Sequence, residues 1–249
     1  MLKIIGRRAA AAVTLAIGAA ALGLTLDPAG AITTGGQLEK EIGPNVAISN
    51  CSGSLLSREW VITAWHCYDG SKISDKIGYW GNLDYQKGNL VHVVQVCHRY
   101  DLAMARISPP LPDRLPSGVS LARIGSASPP VGATVVVKGW GETEYDTGKG
   151  GGVLRSTEVK VGDPWSNGSG DHYWGPSFTV GRIPGNGLPA HGDSGGPAYY
   201  GGTIVGVDSN GDAVGANYVS VAAHANWITA LLAGKPVPTT PTPEAVCVS

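Results

Sequence analysis

The sequence predicts an all-β fold closed by one C-terminal helix, on three observations. First, "GSLLS", "EWVITAW", "LVHVVQV", "LAMARI", "ATVVVKGW", "STEVKV", "GTIVGV" and "NYVSVA" are rich in Val, Ile and Thr, and Gly, Pro, Asn or Asp clusters bound them. Second, only "AAHANWITALL", Ala222 to Leu232, carries apolar residues at helical spacing, with Trp227 and Leu231 on one face. Third, a 249-residue chain with 37 Gly and no βα alternation has the length and composition of an antiparallel barrel or sandwich unit.

Taken in order, the chain opens on "MLKIIGRRAAAAVTLAIGAAALGLTLDPAGA", with Lys3, Arg7 and Arg8 ahead of an Ala/Leu/Val run and then Ala29-Gly30-Ala31. A basic start, an apolar run and a small-x-small site predict a secretory signal peptide over residues 1–31 rather than a retained anchor. No later segment is long and apolar enough to span a bilayer, so the mature chain is expected to be secreted, extracellular and free of membrane contact. The strand segments and the helix then fill residues 32–234 as one domain. Beyond them "GKPVPTTPTPEAVCVS" has Pro at near-alternate positions, which forbids helix and predicts an extended tail over 235–249.

A net charge of −1 and 15% charged residues give no reason to expect nucleic acid or an anionic membrane as partner. The four cysteines, Cys51, Cys67, Cys97 and Cys247, suit an oxidising destination, where an even count is paired in one of three ways. They lack the close Cys/His spacing of a zinc site, and no metal or cofactor is expected. Asp75 and Asp84 read as solvated loop charges, not as a calcium loop.

One stretch suggests chemistry. In "AHGDSGGPAYY", Ser194 sits in a bend of Gly192, Asp193, Gly195, Gly196 and Pro197 directly before an apolar segment. Such clusters make ordinary turns, but glycines also let backbone N–H groups crowd around an oxyanion. A serine nucleophile needs a base of near-neutral pKa, and His66 stands at a strand end in "EWVITAWHCYDG". The base needs a carboxylate to orient it. Asp101, ahead of the apolar run in "YDLAMARI", fits that role, with Asp75 and Asp84 as competitors. "GDSGG" also satisfies the nucleophile-elbow pattern of α/β-hydrolases. That fold needs an acid and then a histidine after the serine, but the one histidine that follows, His224, lies in the expected helix and the βα alternation that fold requires is missing.

In combination, "VITAWHC", "YDLAMARI", "VVVKGWG", "LRSTEVKV" and "GDSGGP" resemble, in that order, the trypsin/chymotrypsin-like serine proteases of the secreted, bacterial type, over about Ile32 to Leu232. The resemblance implies two six-stranded antiparallel β-barrels with a C-terminal helix. It implies a serine endopeptidase acting on peptides or proteins as a monomer, with His66 as general base, Asp101 as its orienter and Ser194 as nucleophile. The Gly192 and Ser194 N–H groups would form the oxyanion hole. A catalytically silent binding module on the same fold is the alternative.

The resemblance also pairs Cys51 with Cys67, and Cys97 and Cys247, which lack the family's usual partners, then pair by elimination. It implies that an Ile32 amino group freed by signal cleavage meets Asp193. It places Leu188, six positions before the serine, at the base of the specificity pocket, and hence predicts a preference for apolar side chains. Asp208 flanks the same pocket and reads as a turn residue of "DSNGD". The chain departs from the family in carrying Trp65, where a small residue usually precedes the histidine.

Overall fold

The computed structural model describes residues 32–33, 36–162, 175–235 and 246–249. The expected signal peptide and most of the Pro-rich tail lie outside them. A two-residue strand β1 (Gln37–Leu38) leads into β2 (Asn45–Ile48), β3 (Cys51–Leu55), β4 (Trp60–Ala64), β5 (Ile77–Trp80), β6 (Asn89–Arg99) and β7 (Leu102–Ser108). These six pair antiparallel in the order β6-β5-β2-β3-β4-β7 and close through β6–β7. A second set, β8 (Thr134–Gly139), β9 (Arg155–Val161), β10 (Ser177–Arg182), β11 (Pro197–Tyr200), β12 (Thr203–Gly211) and β13 (Gly215–Ser220), runs β9-β10-β13-β12-β11-β8 and closes through β8–β9. Helix α1 (Ala225–Leu232) follows a short 3-10 turn at Ala222–His224, and β14 (Val246–Val248) adds to β6. The fold is two six-stranded barrels with a C-terminal helix.

Alternation dictates which face each strand buries. In β8, Val135, Val137 and Gly139 point inward while Thr134, Val136 and Lys138 are half-buried, and β9 repeats the pattern with Arg155, Thr157, Val159 and Val161 inside. Strands β2, β5 and β10 are absent from the segments expected in the sequence. β2 is buried at all four positions and so shows no alternation, and Gly78 interrupts β5.

Each barrel has its own core. Val46, Ile48, Val61, Val93 and Ala105 belong to the first, and Val135, Val159, Phe178 and Tyr218 to the second. A third cluster joins them: Ile62, Leu102 and Met104 from the first barrel meet Val207, Val219 and, from the helix, Trp227 and Ile228. Trp227 is 1% exposed. Fully burying such a side chain stabilises by about 3 kcal/mol, which fixes the helix over the seam between barrels.

The turn reading of Asp208 is corrected here. β12 runs through Asp208, Ser209, Asn210 and Gly211, with a bulge between Asp208 and Asn210, and Asp208 is 4% exposed. Pairing with β13 holds a segment of turn-like composition in extended form.

Candidate active site

The site lies between the barrels, because the elements bearing its residues end there. β4 ends at Ala64, and the 3-10 turn Trp65–Cys67 that follows presents His66. A disulfide from Cys67 to Cys51 at the start of β3 clips that turn in place. Asp101 stands just before β7 and is wholly buried. The backbone locks the two together: the Trp65 N–H donates to the Asp101 carbonyl at 2.8 Å, and the His66 N–H donates to Asp101 Oδ1 at 2.8 Å. The His66 ring then meets the same carboxylate, Nδ1 lying 2.9 Å from Oδ2 and 3.1 Å from Oδ1.

A further residue escaped the sequence reading. Ser209 Oγ donates to Asp101 Oδ2 at 2.5 Å, reaching across from the second barrel. The carboxylate is thus held from both barrels, and a buried charge with such donors escapes most of its desolvation cost. A serine inside "DSNGD" carries no local signal of this, since its partner is 108 residues away.

Ser194 comes from the loop ahead of β11 and lines one cavity of about 350 Å³ with His66, Ala190, His191, Asp208, Ser209 and Asn210. The loop is pinned to the first barrel. The Ser52 N–H donates to the Ser194 carbonyl at 2.8 Å, and Ser52 Oγ donates to the Gly192 carbonyl at 3.0 Å. Gly192 takes φ +93° and Gly195 φ +78°, a region closed to most side chains. A Cβ on Gly195 would also collide with the Ser52 carbonyl and the Thr63 hydroxyl. Among the described residues, neither the Gly192 nor the Ser194 N–H donates to another backbone group.

Asp193 turns inward. Its carboxylate accepts from the Gly141 N–H at 2.8 Å and the Ala190 N–H at 2.9 Å, it is 2% exposed, and burial pushes its pKa up to about 7. Ile32 is buried in the second-barrel core, and next to it Thr33 exchanges hydrogen bonds with the backbone of Leu188. No ion pair among the described residues joins Ile32 to Asp193. In the 249-residue chain the Ile32 nitrogen is an uncharged amide.

Leu188 is placed apart from the cavity. Its side chain packs with Ile32 in the second-barrel core, and the cavity wall is made by Pro189, Ala190 and the β12 residues instead. Trp65 is likewise clear of it, stacked on His98. Cys97 and Cys247 are bridged, directly opposite one another on β6 and β14. The closest cluster of metal-ligand residue types, Cys51, His66 and Cys67, includes both sulfurs of a disulfide, which are not thiolate ligands. Asp84 is paired with Lys87 at 2.8 Å.

The comparisons with known proteins agree with this architecture. A family model described as Trypsin matches residues 37–228. Brachyurin of Leptuca pugilator is 31% identical over 181 residues, covering 66% of this chain and 77% of that protein. Trypsin epsilon of Drosophila erecta is 31% identical over 197 residues, covering 72% and 76% respectively. Among solved structures, a scabies mite inactivated protease paralogue matches with TM-score 0.71 at 25% identity, covering 81% of this chain and 97% of that one. The chain belongs to the trypsin family.

Proposed function

We propose that the chain is a secreted serine endopeptidase that cleaves peptide bonds through an acyl-enzyme intermediate. The observation that carries this reading is the 2.9 Å contact of His66 Nδ1 with the buried Asp101, in a cavity that Ser194 also lines.

The chemistry follows from that arrangement. Asp101 accepts from Nδ1–H and so leaves Nε2 as the basic nitrogen, which takes the Ser194 proton as Oγ attacks the peptide carbonyl. The carbonyl oxygen becomes an oxyanion that the Gly192 and Ser194 N–H groups can meet, and one such donor lowers the barrier by about 3–4 kcal/mol. The imidazolium, stabilised by Asp101, returns its proton to the leaving amine. Water then repeats the sequence on the acyl ester. No step calls for a metal or cofactor, and the substrate is a peptide or protein.

The same reading takes residues 1–31 as a signal peptide, 32–234 as the protease domain and 235–249 as a tail, in a secreted monomer. Cleavage after Ala31 would turn the Ile32 amide into an ammonium, and the family resemblance pairs that ammonium with Asp193, which is buried and has no cation partner among the described residues; this supports the amine–carboxylate pair as the activating event. N-terminal sequencing of secreted material tests this, and a start several residues from Ile32 defeats it.

A silent binding module remains the rival, since the scabies mite relative is described as inactivated. Turnover of a small activated ester and of a peptide amide decides between them. Ser194→Ala is expected to lower amide hydrolysis by about 10⁴-fold or more with unchanged unfolding. Activity close to the parent in that variant would remove Ser194 as nucleophile, and no turnover of either substrate by the parent would favour the module.

A further inference from the structure

The loop that presents Ser194 is held peptide by peptide. The two N–H groups that would meet the oxyanion belong to the His191–Gly192 and Asp193–Ser194 peptides. The His191 carbonyl accepts from the Glu142 N–H at 2.7 Å, and the Asp193 carbonyl accepts from the Gly196 N–H at 2.8 Å. In the next peptide, the Ser194 carbonyl accepts from the Ser52 N–H at 2.8 Å and the Gly195 N–H donates to the Asp208 carbonyl at 2.8 Å. All of these are backbone contacts, made whatever the side chains are.

The Gly192–Asp193 peptide differs. It stands between the two N–H donors, so its rotation turns both of them. Its N–H donates to the Ala190 carbonyl at 2.9 Å, but its carbonyl accepts from a side chain, Ser52 Oγ at 3.0 Å. Among the described residues no other side chain donates to a carbonyl of residues 191–195. Gly192, at φ +93° and without a Cβ, resists rotation of that peptide less than any other residue would.

The partners of the Ser52 hydroxyl fix its sense. The Trp140 N–H donates to Oγ at 3.2 Å and has no other role open to it, so the hydroxyl proton goes to the Gly192 carbonyl, which can only accept. Ser52 is 1% exposed, and its own carbonyl accepts from Thr63 Oγ1 at 2.9 Å. The hydroxyl therefore sits at a fixed point of the first barrel and reaches a loop 140 positions away.

We propose that Ser52 is a positioning residue for the oxyanion hole: its hydroxyl locks the Gly192–Asp193 peptide and so aims the Gly192 and Ser194 N–H groups at one oxygen. The assignment rests on the endopeptidase reading above and adds to it a residue outside the cavity wall. Donors aimed in advance need no reorganisation as charge develops on the carbonyl oxygen. A loosened peptide is therefore felt more in the tetrahedral state than in the bound substrate.

Two measurements test this. In the first, kcat/KM for a peptide amide is compared between the parent and Ser52→Ala. A loss of about tenfold or more is expected, short of the loss of about 10²–10³ in kcat that follows deletion of a hole donor itself. In the second, a peptidyl trifluoromethyl ketone serves as the tetrahedral mimic, since Ser194 Oγ adds to its carbonyl carbon and the carbonyl oxygen becomes the oxyanion. Its affinity is set against that of the uncleaved peptide amide for the same proteins carrying Ser194→Ala. Ser52→Ala is expected to weaken the ketone by about tenfold or more and the amide by no more than about threefold, whereas a merely structural loss lowers both together.

Parent-like kinetics in Ser52→Ala, or ketone and amide affinities that fall by one common factor, overturn the proposal. If Ser52→Ala does not fold, Ser52→Gly removes the same hydroxyl and is read by the same ratio. No turnover by the parent overturns the endopeptidase reading and the proposal with it. Turnover that is indifferent to Ser52 overturns the proposal alone.

Discussion

Trp65 lies face to face with His98, ring centroids 3.7 Å apart and planes 7° from parallel. The indole lines a groove with Tyr68, Lys72 and Val248 and is not among the residues lining the cavity of His66 and Ser194. The bulky residue before the histidine therefore packs on His98 and leaves His66 on Asp101. Trp65→Ala should cost about 2 kcal/mol of stability through lost ring packing and stacking. Peptidase activity should stay within about threefold. A hundredfold activity loss at unchanged melting temperature would contradict this placement.

Ser209→Ala removes the second-barrel donor to Asp101 Oδ2. A hydrogen bond to a buried charge contributes about 1.5–3 kcal/mol. Peptidase kcat should fall by about tenfold or more, because the lost donor loosens the carboxylate that holds the His66 ring. Thr at this position, which keeps the hydroxyl, should recover most of the rate. Equal kinetics for Ala and the parent would exclude Ser209 as a positioning residue.

Asp193 makes stability depend on pH in the uncleaved chain. Its carboxyl has a folded value of about 7 against an ordinary 3.8, with burial as the main cause. The folded state then binds the proton that the unfolded state has released, so stability is highest at low pH and falls as pH rises from about 4 to 7. One proton gives a slope of at most about 1.4 kcal/mol per pH unit. Asp208 is raised by the same cause and adds in the same direction. Denaturant unfolding of Ser194→Ala protein across that range should show the decline, and adding Asp193→Asn should reduce its slope, leaving the part due to Asp208. A stability that instead rises with pH in both proteins would refute the assignment.

Gly195→Ala combines a positive φ with a collision, since the added Cβ would also lie 2.8 Å from the Ala64 nitrogen. A loss of about 3 kcal/mol or more is expected. Gly150 has open space where a Cβ would go, and Gly150→Ala should stay within about 0.5 kcal/mol. Comparable losses from both variants in chemical denaturation would deny the close approach of the loop to β3 and β4.

The sequence announces the β-rich body wherever Val, Ile and Thr are dense, as in β7 and β8, and announces α1 through the spacing of Trp227, Ile228 and Leu231. It is silent where structure is imposed from a distance. The Asp208 to Gly211 segment has the composition of a turn and is a strand only because β13 pairs with it. His66 and Asp101 stand 35 residues apart, and no local pattern links them; the resemblance to a family did. Leu188 shows the limit of that transfer: its offset from Ser194 matches the pocket base, yet its side chain belongs to a core.

The bridge from Cys97 to Cys247 makes a covalent ring of the chain between them, and that ring contains the whole second barrel, the helix and the inter-barrel connection. Any single backbone cut within the ring opens it without releasing a piece, because each new end is still joined to the first barrel by peptide or by sulfur. A peptidase is exposed to its own activity at high concentration. Nicked molecules of this chain would keep both halves of the cleft on one connected polymer, migrate as a single species until reduced, and retain the opposed His66 and Ser194 that a freely dissociating fragment would lose.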